Sequence, residues 1–364
     1  MNNIRSSTTV KFLYCFILVF SSFIIIFPTN TIASDKETPY IGKSCTIFTV
    51  SIGNKVYFGN NEDYLLNNVY RWYMPAQSVT TSEGIKEIYG AVFVGFDDNG
   101  DPGDGWEQGG MNEYGLCFDA NGLPSTSLNL DIGSSFPYTS HALAETLWEC
   151  RNVSEVIEWY ETHRWSGSMS CQIHYADAAG DAVVVGANSS GQWAFTRIES
   201  ESFLVSTNFN LINHANGWYP CSRYNTTTDM LGTITNEEDL TIQACADVLY
   251  AVHQEYTYGT KYANIFDPVN LDLYFCRGSE FSRQRKYNLV YNLNHGIFEE
   301  KISWFGVSGV NGNGVKVKTD SIQVQFYTGD RPMTPWVWIG SSVGGVILIT
   351  GLLTTILISK KKRN

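Results

Sequence analysis

The stretch that most constrains this chain lies near its end. From Trp336 to Ser359 there is no charged residue, and Lys360, Lys361, Lys362 and Arg363 follow at once. At about 1.5 Å per helical residue the run extends about 36 Å, more than the roughly 30 Å of a bilayer's hydrocarbon core. Basic residues favour the cytoplasmic side, and Trp336 and Trp338 stand where an aromatic belt meets the opposite interface. The sequence predicts a transmembrane helix over 336–359 and a basic cytoplasmic tail, with a buried core helix as the competing reading. Everything ahead of the helix is then expected to face outward.

The other end agrees. Arg5 and Lys11 precede an apolar run from Phe12 to Phe27, and Thr31, Ile32 and Ala33 give a small-x-small site for signal peptidase. Residues 1–33 are read as a signal peptide. An uncleaved signal anchor is the alternative, and both leave the following residues outside. That segment belongs to a chain of 364 residues, 43% hydrophobic and 14% aromatic, ample for a large core. With a net charge of −12, a nucleic-acid role would need a basic face that the sequence does not show. Apart from Cys15 and Cys45, six cysteines remain: Cys117, Cys150, Cys171, Cys221, Cys245 and Cys276. None has the paired CxxC spacing of a zinc site, and no Walker or dinucleotide glycine motif occurs, so neither metal nor cofactor is implied. Three disulfides and six buried thiols stay open as readings.

Between the leader and the anchor the pattern is strand-rich, without repeats or a low-complexity linker. Gly53 and Asn54 join two β-prone runs, 45–50 and 55–59, as a hairpin that returns the second strand beside Cys45. Further strands are expected at 91–96, 115–118, 172–175, 182–186, 202–207 and 271–275. Helical spacing marks 141–163, with an interior cap at Asn152, and 236–253. Helices grouped between sets of strands indicate a layered α+β fold. Residues 45–325 are expected to form one domain and 326–364 the juxtamembrane segment, helix and tail.

Cys45 acquires chemical meaning if it becomes a first residue. A thiol and a free α-amine on one residue supply nucleophile and base together, because an α-amine titrates near pH 8, at roughly 7.7–8.0. Asp63 closes the returning strand, where a carboxylate would orient and balance that amine. Cys45, Thr46, the hairpin and the run Phe58, Gly59, Asn60, Asn61, Glu62, Asp63 resemble the choloylglycine hydrolase and penicillin V acylase family. Four further stretches follow in the family's order: Gly110 to Leu116, Cys117 to Pro124, Val205 to Asn208, and Cys221 to Tyr224. The ordered matches run from Cys45 to about Leu289.

The resemblance implies a four-layer αββα sandwich of the N-terminal-nucleophile hydrolase type. It implies Cys45 as nucleophile, its amine as general base, Asp63 as that amine's partner, Asn121 and Asn208 as oxyanion donors, and Arg223 as the fork holding the network. It implies autocatalytic removal of a short propeptide, 34–44, and a small-molecule linear amide as substrate. Two departures stand out. Asn60 replaces the arginine common in the family's Arg-Asn-x-Asp segment, and Asn121 falls one place early, with Asn112 as the fallback. The expected protein is an outward-facing, membrane-anchored cysteine amidase. An acyltransferase of the same fold and a non-catalytic surface binding protein are the alternatives; oligomeric state and the acyl and amine groups are not readable. The aromatic stretch Tyr64 to Met74 is open between an acyl pocket and core packing.

Overall fold

The computed structural model describes residues 45–302, apart from 65–68, 82–83, 97–105, 138, 140–141, 166, 256–258 and 278–279, together with residues 316–317. Two compact units divide the chain between Ile41 and Gly42, and all described residues lie in the second. The expected signal peptide, propeptide and transmembrane helix lie outside the described residues. Among the described residues no helix is long and apolar enough to cross a membrane.

Strand β1 (Thr46–Ile52) turns through Gly53 into β2 (Lys55–Asp63). The turn needs a left-handed residue, and Gly53 sits at φ +62°. The register pairs Ile52 with Lys55 and runs to Thr46 opposite Asn61, as the hairpin reading expects. The chain then builds β3 (Val69–Met74), an outlying pair β4 (Gln77–Thr81) and β5 (Gly84–Ile88), β6 (Ala91–Phe96), β7 (Trp106–Asn112) and β8 (Cys117–Ser127). Helices α1 (Ala142–Glu149) and α2 (Val153–Thr162) precede β9 (Ser168–Ala176), β10 (Ala182–Ala187) and β11 (Trp193–Arg197). After β12 (Phe203–Ser206) come α3 (Ser222–Gly232) and α4 (Ile242–Val252). Then follow β13 (Thr260–Asp267), β14 (Asp272–Arg277), β15 (Glu280–Asn288), the short α5 (Leu289–Leu293), β16 (Phe298–Lys301) and β17 (Lys316–Val317).

Two antiparallel sheets result, one of six strands ordered β12-β1-β2-β13-β14-β15 and one of nine ordered β11-β10-β9-β8-β7-β6-β3-β16-β17. Side-chain alternation gives each central strand two buried faces, and the core divides accordingly. Ile47, Phe58, Tyr73, Val92, Met111, Cys117, Tyr262 and Phe266 fill the space between the sheets. Phe48, Val50, Tyr57 and Ile265 pack outward onto Leu231 of α3 and Cys245 and Leu249 of α4. On the far side Phe93, Phe118, Ile173 and Val185 meet Leu147 and Trp148 of α1 and Val156 and Tyr160 of α2. Helix, sheet, sheet, helix is the expected four-layer sandwich.

The helical expectation over 141–163 divides into α1 and α2 because Asn152 caps the second helix, its Oδ1 accepting from the Glu155 amide at 3.0 Å. The expectation over 236–253 resolves to α4 alone, capped by Thr241. Helix α3 was not anticipated: it is weakly amphipathic, with only Thr227 and Leu231 buried. The seven described cysteines are free thiols, which settles the choice against disulfides among the six that were in question. Of those six, five are buried and Cys221 is half-buried. Val69, Tyr73 and Met74 are core residues, so this part of the Tyr64 to Met74 stretch packs rather than lines a pocket.

One polar staple crosses the inter-sheet space. His174 on β9 is fully buried; its Nε2 meets Thr49 Oγ1 on β1 at 3.0 Å and its Nδ1 meets Ser206 Oγ on β12 at 3.0 Å. Burial pushes its pKa down to about 3, so the ring is neutral, with one nitrogen donating to one hydroxyl and the other accepting from the second.

Candidate active site

The site forms where β1 begins. Cys45 is 2% exposed, and its register position, one step beyond the Thr46–Asn61 pair, sets it across from Glu62. Since Ile47 and Phe58 point between the sheets, alternation sends Cys45 and Glu62 into the same space. The Cys45 thiol donates to Glu62 Oε2 at 3.4 Å. Burial, followed by the charges of Glu62 and Asp63, pushes the thiol well above its ordinary range, while a hydrogen bond from the Asp63 backbone acts the other way.

Arg223, in the first turn of α3, fastens this corner. Its Nη1 donates to the Cys45 carbonyl at 2.7 Å and to Thr46 Oγ1 at 2.8 Å, and its Nη2 donates to Asn208 Oδ1 at 3.0 Å. A planar fork is the side chain suited to holding two separated segments at once. Asn208 is 2% exposed and lies just after β12, where its Nδ2 donates to the Gly122 carbonyl of β8 at 2.9 Å. That bond uses one of two amide protons, leaving the second to donate elsewhere. The segment is set by Gln172 on β9, whose Nε2 donates to the carbonyls of Thr207 and Phe209, each at 2.8 Å.

Asn121 stands opposite Gln172 on β8, on the face away from Phe118 and Ala120 and therefore toward the inter-sheet space. It is fully buried, and neither atom of its amide has a partner among the described residues. An amide left unpaired in this way costs about 1–3 kcal/mol, which a transient acceptor would recover. Asn112 has the opposite character. Its Nδ2 donates to the Leu147 and Cys150 carbonyls, and its Oδ1 accepts from the Tyr114 and Leu116 amides, so it closes a turn and anchors α1. No proton is left on it for a substrate, which removes the fallback.

Asp63 is fully buried; Thr260 Oγ1 donates to its Oδ1, and its Oδ2 has no partner among the described residues. Burial raises its pKa to about 7, against the lowering effects of Thr260, Arg223 and Lys261. A cation placed at Oδ2 would return it to the ionised form. Asn60 is buried and donates to Asn264 Oδ1 at 3.4 Å, so the position at which similar proteins commonly carry an arginine is neutral here.

The structure thus gathers Cys45, Asn208 and Arg223 by direct contact and buries Asp63 on β2 and Asn121 on β8, in different sheets. Sequence reasoning passed over Glu62 and Asp119. Asp119 lies on β8, two residues before Asn121, with Oδ1 accepting from the Ala120 amide at 2.8 Å. Its pKa is raised by burial and then by the Glu62 charge. Counting back from the Gly53–Asn54 turn would have placed Glu62 opposite Cys45; nothing local marks Asp119.

Solved structures share this architecture. A variant of conjugated bile acid hydrolase from Clostridium perfringens superposes with a TM-score of 0.55 at 14% identity, covering 73% of this chain and 100% of that one. Penicillin V acylase from Agrobacterium tumefaciens gives 0.54 at 17% identity, covering 71% and 92%. These likenesses establish a common fold. No curated protein sequence matches the chain. A family profile described as acyl-coenzyme A:6-aminopenicillanic acid acyl-transferase matches residues 50–280, a span that begins five residues after Cys45. Because that span covers more than half of the chain, from the first hairpin to the start of β15, the protein belongs to the acyl-coenzyme A:6-aminopenicillanic acid acyl-transferase family.

Proposed function

We propose that the protein is a cysteine amidase that attacks a linear, non-peptide amide through Cys45 after the bond between Ser44 and Cys45 has been cut. The observation that carries this reading is the Arg223 fork joining the Cys45 carbonyl to Asn208 Oδ1, which holds the Cys45 thiol and the Asn208 amide in one corner and so supports a pairing of nucleophile and oxyanion donor. Cutting the bond frees the Cys45 amine, whose ammonium form is a partner for the open oxygen of Asp63. In its neutral form the amine takes the thiol proton as sulfur adds to the substrate carbonyl. The remaining proton on Asn208 and the unpaired amide of Asn121 are the donors for the oxyanion. Collapse expels the amine product, leaves a thioester on Cys45, and water then releases the acid. Fold relatives named as a hydrolase and an acylase support amide cleavage.

The family's own description favours a second reading, in which the thioester passes its acyl group to an amine instead of water. In both readings the leader directs export, and after the cut before Cys45 the uncharged run 336–359 alone holds the domain on the outer face of a cell membrane. The test is to incubate the processed protein with a panel of linear amides and weigh it intact. A mass gain equal to the acyl group, located on Cys45 and discharged by water, supports hydrolysis. Discharge only on addition of an amine supports transfer. Release of amine by Cys45→Ala at the wild-type rate refutes both.

A further inference from the structure

The uncut chain lacks the base that the mature enzyme is given. Before cleavage the Cys45 nitrogen is an amide with no basic lone pair, yet the thiol of the same residue must lose its proton to cut the bond. That thiol is buried, and the surrounding negative charges hold it protonated. Its hydrogen-bond acceptor is Glu62 Oε2, at 3.4 Å, across the hairpin and in the same inter-sheet space.

We propose that Glu62 is the proton acceptor for self-cleavage, a role that ends once the amine exists. The carboxylate takes the Sγ proton as sulfur adds to the Ser44 carbonyl carbon. It then delivers that proton to the departing Cys45 nitrogen as the carbon–nitrogen bond breaks and the carbon–sulfur bond remains. The product is a thioester between the Ser44 acyl group and Cys45 with a free α-amine beside it. Water breaks the thioester, giving a carboxylate on Ser44 and restoring the thiol. Nothing is oxidised or reduced. The inference rests on the amidase reading, which supplies the cut before Cys45.

Other ionisable groups face the thiol and are differently engaged. Asp63, next to Glu62 on β2, has one carboxylate oxygen occupied by Thr260 and offers the sulfur its backbone instead. Asp119 on β8 acts on the thiol only at longer range, after Glu62 and Asp63. On β13, Lys261 lies within the field of Asp63, and Tyr262 within those of Glu62, Asp119 and Cys45. Arg223 on α3 contacts the carbonyl of Cys45, not its sulfur.

The test uses the full-length chain made in a cell-free system with lipid nanodiscs. Intact mass follows the appearance of the Cys45 terminus against time from pH 5.5 to 8.5. Wild type is expected to cut at a rate that is flat wherever Glu62 is ionised. Glu62→Gln is expected to cut about 10²-fold more slowly at pH 7, within the range for loss of a general base, and to climb about tenfold per pH unit as bulk hydroxide makes the thiolate. Glu62→Asp keeps a carboxylate and is expected to be slower than wild type but still flat with pH, which a packing defect would not produce. Thermal unfolding of each variant reports folding. A wild type that is cut while Glu62→Gln is cut at the same rate with the same profile overturns the Glu62 role alone. So does a Glu62→Asp profile that climbs like that of Glu62→Gln. A wild type that stays uncut overturns the amidase reading and this role with it.

Discussion

Acidification should weaken the sandwich at a single buried ring. His174 joins β9 to β1 and β12, and its pKa of about 3 in the fold compares with 6.5 for the free side chain. The folded state therefore binds fewer protons than the unfolded chain between those values. The stabilisation is fully present above pH 6.5 and is lost progressively as pH falls toward 3. Lowering the pH from 7 to 5 crosses about 1.5 pH units of that window, so the native state should lose about 2 kcal/mol through this residue. Carboxyls shifted by burial act in the opposite direction: Asp63, Glu107 and Glu145 are raised to about 7 and burial raises Asp119 as well, so their folded forms gain protons before the unfolded chain does. Their stabilisation grows over the same interval and masks the histidine in wild type alone. The comparison must be with His174→Gln, which keeps a donor and an acceptor but has no proton to gain. Urea unfolding of both proteins at pH 7 and pH 5 gives four stabilities. The difference between the proteins should shift by about 2 kcal/mol, wild type losing more on acidification. Equal changes in the two proteins would refute the assignment of a neutral, doubly bonded His174.

Asn121→Leu replaces an unpaired buried amide by an apolar side chain of similar size, so it should leave thermal stability equal or higher while slowing amide cleavage by about 10²–10³. A variant with full activity would remove Asn121 from the oxyanion role. Arg223→Lys should lose the grip on Asn208 while keeping one contact near Cys45, because an ammonium cannot span both. One hydrogen bond to a charged group, worth about 1.5–3 kcal/mol, predicts a midpoint lower by about 5 °C and a turnover lower by about 10². An unchanged turnover would show that Asn208 needs no brace.

The central hairpin was legible because its information is local. Gly53 and Asn54 set the turn, the turn sets the register, and the register decides that Cys45 and Glu62 face each other. The layered architecture was readable from the grouping of helices and from the family's ordered motifs. What joins the sheets was not. Asn121 and Asn208 come from different sheets, 87 positions apart by number, and their roles were suggested only by resemblance. Asp119 and His174 look like ordinary turn or surface residues in the sequence, and only tertiary burial makes them neighbours of the nucleophile and of the sheet junction. The cysteines show the same limit: an even count is compatible with pairing, but the six lie on separate elements and are free. Helix α3 escaped notice because its solvent face is polar and its buried stripe is only two residues wide.

The most direct test of the account is the N-terminal sequence and intact mass of the protein purified from its own membrane, beside Cys45→Ala prepared in the same way. The native chain is expected to begin at Cys45 and the variant to retain Ser44. If both chains begin at the same upstream residue, such as Ser34, the α-amine never forms, and Cys45 is not the nucleophile of a self-processed enzyme.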